Sequence, residues 1–221
     1  MKIYTHIFFD LDGTLTDPKV GITKSVAYAL QHFGVEVADL DQLCPFIGPP
    51  LKDSFMSFYH FSSRQADLAV EKYREYFSET GMFENVVYPG IERLLKALSG
   101  AGKTLVVATS KPTVFAEKIL AHFQLASYFS AIIGSELDGR RVEKADVIAH
   151  ALSAQSGIFP EPDPCQTVMI GDRKYDIEGA KANGIDSIGV LFGYGTAQEL
   201  KASGAGRIVE SVGQLQNILL G

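Results

Sequence analysis

Asp10 and Asp12 end a continuous apolar run, Ile7-Phe8-Phe9, and are spaced i, i+2. On an extended backbone that spacing sets both carboxylates on one side. Gly13, next in the chain, lets the backbone turn and approach a ligand closely. Unpaired carboxylates at the end of a buried strand are costly, and a bound cation offsets that cost. An aspartate with an ordinary pKa of about 3.9 is ionised at neutral pH without a base to activate it. It can therefore attack phosphorus directly and carry the phosphoryl group as an aspartyl-phosphate. Mg²⁺ takes a few carboxylates together with substrate oxygens, which relieves the repulsion between nucleophile and phosphate. The residues thus read as a site for phosphate esters, with Mg²⁺ as cofactor. Asp10 is the nucleophile. Asp12 is the acid for the leaving oxygen and then the base for water.

The other parts come from distant positions. Ligands of open parallel sheets sit beyond the carboxyl ends of the strands. Leu105-Val106-Val107-Ala108 ends in Thr109 and Ser110, and Thr167-Val168-Met169-Ile170 ends in Gly171-Asp172, with Asp176 four residues on. Lys144 starts a helical pattern. Asp172 joins Asp10 and Asp12 as a metal residue. Thr109, Ser110 and Lys144 are assigned to phosphoryl oxygens, where charge spreads in the transition state. Asp176 is assigned to support.

Each residue also has a plainer reading. Thr109 and Ser110 suit caps of the helix behind Pro112. Lys144 suits a solvated helix start, and Lys111 competes with it by lying nearer Thr109. Asp176 suits a cap or a partner for Lys144. Arg140 and Arg141 suit a solvated turn after Asp138-Gly139. Gly193-Tyr194-Gly195 reads as a turn more than as a phosphate cradle. Gly102-Lys103-Thr104 is no Walker loop, because position 97 is Ala and the run precedes a strand. The five histidines show no close ligand spacing, which argues against zinc. No Gly-x-Ser-x-Gly elbow is present.

These residues need a scaffold. The pattern predicts strands at 105–108, 131–133, 167–170, 187–191 and 208–209, alternating with helices that include Lys144–Ser156. Such alternation is the pattern of an α/β fold, a Rossmann-like parallel sheet with helices on both faces. Between Leu15 and Val86 only helical periodicity is found. Ile22, Val26, Leu30 and Phe33 share one face, Ser62 to Gln65 reads as a capping box, and Ala66, Ala69, Val70, Tyr73 and Phe77 follow. Residues 17–87 are therefore expected to be a helical cap, and 1–16 with 88–221 the catalytic core.

The Asp10-Leu11-Asp12-Gly13-Thr14 run resembles the first motif of the haloacid dehalogenase superfamily. Thr109, Lys144 and Gly171-Asp172 with Asp176 resemble its second, third and fourth motifs in order, so the likeness spans essentially the whole chain. It implies that the backbone carbonyl of Asp12 contacts the metal and that the insertion is a cap between motifs one and two. It is closest to phosphoglycolate-phosphatase-like and bacterial 5′-nucleotidase-like members. The implied activity is hydrolysis of a small-metabolite phosphate monoester. The alternatives are nucleoside monophosphate hydrolysis and a β-phosphoglucomutase-like transfer. The built-in acid and lid argue against a non-enzymatic phospho-receiver. Gly48-Pro49-Pro50-Leu51, with Lys52 beside it, is the candidate substrate-selecting loop.

Composition agrees. The 221 residues carry a 46% apolar share and a net charge of −6, which argues against a nucleic-acid partner. No run is long enough to span a membrane, and the apolar start is broken by Asp10 and Asp12, unlike a signal peptide. The two cysteines, Cys44 and Cys165, suit free thiols in the cytoplasm. The expected partner is a small phosphate ester, and the expected state is a monomer or weak homo-oligomer.

Overall fold

A computed structural model describes residues 2–153 and 162–221. The end of the expected helix at Ser156 and part of the Pro-rich stretch 159–164 lie outside the described residues. In chain order the elements are β1 (His6–Phe9), β2 (Thr16–Asp17), α1 (Lys19–His32), α2 (Leu51–Tyr59), α3 (Ser63–Glu79), β3 (Val86–Val87), α4 (Ile91–Gly100), β4 (Thr104–Pro112) and α5 (Thr113–His122). They continue with β5 (Ala131–Ser135), α6 (Lys144–Leu152), β6 (Thr167–Gly171), α7 (Lys174–Ala182), β7 (Asp186–Val190), α8 (Ala197–Ala202), β8 (Arg207–Val209) and α9 (Val212–Leu220). The chain divides into two compact units, one of 1–16 with 87–221 and one of 17–86.

The first unit holds a six-stranded sheet in the order β5-β4-β1-β6-β7-β8. Every neighbouring pair is parallel. This is the expected α/β fold. Phe8, Val106, Ala108 and Met169 meet Val147, Ile148 and Ala151 of α6 and Ala180 of α7 in one apolar cluster. Their alternates Ile7, Phe9, Val107 and Ile170 point to the opposite face and are fully buried, so both faces are covered. Strand order runs outward from β1 through β4 to β5, then restarts on its other side at β6. The flank between β1 and β6 is thus the switch point where open α/β sheets place their ligands.

The sequence patterns differ from the structure at their edges. β4 runs to Pro112, with a register shift between Ala108 and Pro112, so its polar end rejoins β5 at Ser135. Alternation of apolar residues stops at Ala108 and could not reveal this. Pro112 is the residue directly before α5. The insertion is not wholly helical: β2 and β3 pair in a two-stranded sheet, each too short to leave a periodicity.

The second unit packs α1, α2 and α3 with a 3₁₀ turn over Leu40–Phe46. Ser62 and Gln65 form the capping box at the start of α3. Its interior is aromatic: Phe46 lies 4.9 Å from Phe55, and Phe55 stacks 5.9 Å from Phe61. Both cysteines are free thiols. Among the described residues no helix is long and apolar enough to cross a membrane.

Candidate active site

β1 delivers Asp10 to the carboxyl end of the sheet, where the Asp10 amide still donates to the Ile170 carbonyl at 2.9 Å. β6 delivers Asp172 next to it, and the first turn of α7 adds Asp176. Carboxylate oxygens of Asp10, Asp172 and Asp176 lie within 4.8 Å of one another, and all three residues are buried. One cation answers them. The Lys144 ammonium lies 2.8 Å from Asp10 Oδ1 and 2.8 Å from Asp176 Oδ1, and donates to the Ala108 carbonyl at 3.1 Å. Burial opposes its charge, but Asp10 and Asp176 outweigh that and hold it above the usual lysine range.

Three carboxylates against one ammonium leave two negative charges uncompensated when all are ionised. Asp172 bears most of the imbalance. It is fully buried and has no ion-pair partner among the described residues. Burial raises its pKa well above the ordinary value, and the charges of Asp176 and Asp10 raise it further. Asp176 is raised too, by burial and Asp10, with Lys144 opposing. Hard oxygen donors with an excess of two charges fit one divalent cation such as Mg²⁺.

The carboxylates are held, not merely close. Asp172 Oδ2 accepts from the Tyr194 amide at 2.7 Å and Oδ1 from the Thr14 hydroxyl at 3.4 Å. A Cβ at Gly13 or Gly193 would overlap the Asp172 side chain, and one at Gly171 would overlap that of Asp176. Gly13 also has φ +80°, open to glycine at little strain. Asp176 does two jobs: its Oδ2 accepts from the Arg173 amide at 3.0 Å, capping α7, while Oδ1 faces Lys144.

Asp12 stands apart from this triad. Its Oδ2 is 2.8 Å from the Lys111 ammonium, and its Oδ1 is buried without a hydrogen-bond partner among the described residues. Burial raises the Asp12 pKa, with Lys111 partly opposing. Thr109 is buried beside these groups on β4, and its hydroxyl accepts from the Lys111 amide at 3.3 Å. The Ser110 carbonyl accepts from the Ser135 hydroxyl at 2.8 Å. Neither Thr109 nor Ser110 caps α5, whose first turn has no side-chain cap.

The structure therefore brings Asp10, Asp172, Asp176 and Lys144 into one cluster and keeps the Asp12 carboxylate beside it with Lys111. Lys111 and Lys144 are not rivals for one place. Tyr194, read from the sequence as part of a turn, is the unforeseen part: its backbone amide, not its side chain, meets Asp172. The two flanking glycines shortly after β7 marked the turn but not the donor. Arg140 pairs with Asp138 at 2.8 Å, and Arg141 engages Glu136 and the Gly134 carbonyl.

A model of the haloacid dehalogenase-like hydrolases matches residues 7–190. A 5′-nucleotidase of Pseudomonas aeruginosa is 51% identical over 199 residues, covering 90% of this chain and 88% of that protein. The tyrosine-protein kinase PtkA of Mycobacterium tuberculosis is 42% identical over 191 residues, covering 86% of this chain and 63% of that protein. A phosphoglycolate phosphatase of Vibrio vulnificus is 30% identical over 223 residues, with 97% and 95% covered. The crystal structure of a predicted phosphatase from Clostridium acetobutylicum superposes with a TM-score of 0.94 at 51% identity, covering 99% of each chain.

Proposed function

The chain belongs to the haloacid dehalogenase-like hydrolase family, and from that premise we propose that it is a Mg²⁺-dependent phosphatase of small phosphate monoesters. The observation that carries the reading is the buried triad of Asp10, Asp172 and Asp176 with a charge excess that Lys144 alone does not neutralise. Asp10 and Asp172, with the Asp12 carbonyl, would hold the ion, and Asp176 supports Lys144. When bound, the ion supplies charge neutralisation that lets an anionic nucleophile meet an anionic phosphate.

The chain's own residues do the rest. An Asp10 carboxylate oxygen attacks phosphorus, the bond from phosphorus to the ester oxygen breaks, and Asp12 gives that oxygen its proton, releasing an alcohol. Asp12 then takes a proton from water as the water oxygen attacks phosphorus. The bond to Asp10 breaks, inorganic phosphate leaves, and both side chains return to their starting state. Thr109, Ser110 and Lys144 bind phosphoryl oxygens. The nearby 5′-nucleotidase relative supports nucleoside 5′-monophosphates as first candidates, ahead of phosphoglycolate. The helical unit 17–86 is assigned to substrate selection.

The test is phosphate release from nucleoside monophosphates, phosphoglycolate, sugar phosphates and pyrophosphate, with Mg²⁺ and after chelation. Release that stops on chelation and returns with Mg²⁺ is expected. Undiminished release in chelator removes the metal, and no release from any substrate removes the phosphatase reading. Interconversion of sugar phosphates without free phosphate would assign a mutase, and phosphate passed to tyrosine would assign a kinase.

A further inference from the structure

We propose that Lys111 is a positioning residue for Asp12: it ties one carboxylate oxygen of Asp12 in place so that the other is presented to the ester oxygen. The proposal rests on the reading of Asp12 as proton donor given above.

The geometry is unusual for a lysine. The Lys111 side chain is only 6% exposed, and its ammonium lies 2.8 Å from Asp12 Oδ2. A buried cation without a partner would be costly, and Asp12 is the anion placed to receive it. That contact occupies Oδ2 and leaves Oδ1 buried with no hydrogen-bond partner among the described residues. A carboxyl group with one oxygen tied and one unpaired has a defined direction for its proton. General acid catalysis needs that direction, because the donor must stand within hydrogen-bond reach of the leaving oxygen.

The backbone under Lys111 is built to hold it still. The segment after Ala108 leaves regular register with β5 and rejoins it at Pro112. Within it the Lys111 amide donates to Thr109 Oγ1 at 3.3 Å, and the Ser110 carbonyl is clamped by the Ser135 hydroxyl at 2.8 Å. The Lys111 carbonyl lies so close to Gly134 that a Cβ there would overlap it. Thr109, Ser135 and Gly134 thus fix a short irregular stretch whose side chain reaches back to β1's loop. Lys144 is engaged with Asp10 and Asp176 and is not the partner of Oδ2.

The experiment compares wild type, Lys111→Met and Lys111→Arg in the full chain with Mg²⁺. One substrate is p-nitrophenyl phosphate, whose leaving oxygen departs without needing a proton. The other is the best nucleoside 5′-monophosphate. Lys111→Met is expected to lower kcat about 30-fold on the nucleotide and less than about threefold on the aryl ester, with KM changed less than about threefold on both. Lys111→Arg restores at least about a third of the nucleotide kcat, since it keeps a cation in reach. If Lys111→Met does not fold, Lys111→Gln carries the same expectation at smaller size. Equal losses on both substrates, or a rise in KM at constant kcat, overturn the proposal, the latter by making Lys111 a phosphate ligand. Wild type that releases no phosphate from either ester removes the phosphatase reading and this proposal together. Active wild type with a substrate-blind Lys111 variant removes this proposal alone.

Discussion

The two units bury different things. The carboxyl end of the sheet buries charge: Asp10, Asp172, Asp176 and Lys144 are all shielded from water. The unit 17–86 buries rings, and its ionic contacts lie outside. Lys52 with Asp67, Lys72 with Glu75 and Lys19 with Asp41 all involve partly exposed groups. Removing charge from water without complete pairing is unfavourable, whereas removing aromatic surface is favourable by about 1.5–3 kcal/mol per large side chain. A protein keeps the first arrangement only where something other than stability requires it. The contrast sets the proposed seat of the chemistry apart from a part that folds by ordinary packing.

The sharpest way to break this contrast is Asp10→Asn. Turnover should fall by about 10³-fold or more, as for loss of a covalent nucleophile. The melting temperature in chelator should hold or rise, since the isosteric amide removes one of the charges that repel Asp172. Near-wild-type phosphate release by the variant would end the nucleophile assignment. A large fall in melting temperature would mean that the buried charges serve stability after all.

Phe55→Ala is the mirror experiment. Phe55 is fully buried against Phe46 and Phe61, so the variant should lose about 3–5 kcal/mol of stability in denaturant unfolding. The helical unit should be the part destabilised, read by hydrogen exchange over 17–86. A loss below about 1 kcal/mol would show that this unit is not held by its aromatic interior.

The same contrast explains what could be read from the sequence. Asp10, Thr109 and Asp172 were legible because a parallel sheet converts strand order into a shared edge. Any polar residue that ends an apolar strand must arrive there. Lys144, at the start of α6 and not at a strand end, was singled out by its order among the motifs of the family the chain resembles. The pairing of Lys111 with Asp12 was not legible, because it depends on the register shift after Ala108, which leaves no periodic trace. Nor was the Tyr194 amide on Asp172, since a backbone donor carries no residue signature. In the helical unit, spacing identified helices and the capping box, but not which rings meet. The contacts among Phe46, Phe55, Phe58 and Phe61 join three separate segments, and many packings satisfy one apolar face.

Asp12→Asn tests the boundary inside the charged region. Asp12 lies outside the triad and is assigned to proton transfer, first to the leaving oxygen and then from water, not to nucleophilic attack. Its loss should slow nucleotide hydrolysis about 10²-fold, which is about 2.7 kcal/mol of barrier. Hydrolysis of p-nitrophenyl phosphate should slow far less. Equal slowing on both esters would remove the acid role and leave Asp12 only the step the two esters share, hydrolysis of the aspartyl-phosphate.

The smallest effect is expected at Lys52. Its ammonium is 2.7 Å from Asp67 Oδ1, with both side chains about half exposed. Exposed pairs of this kind are worth about 0–1 kcal/mol, so Lys52→Ala should barely move the melting temperature. The stretch Gly48–Leu51 beside it is nonetheless the proposed selecting loop: Gly48 has φ +107°, and Pro50 precedes α2 directly. If Lys52 contributes to selection, Lys52→Ala should change the rank order of substrates in the phosphate-release panel. Asp67→Asn removes the same ion pair while keeping the cation, and should leave that order alone. An unchanged order in Lys52→Ala would withdraw Lys52 from selection. Reordering by both variants would instead assign the effect to the seating of α2 against α3, a packing property of the ring-filled unit rather than a charge presented to substrate.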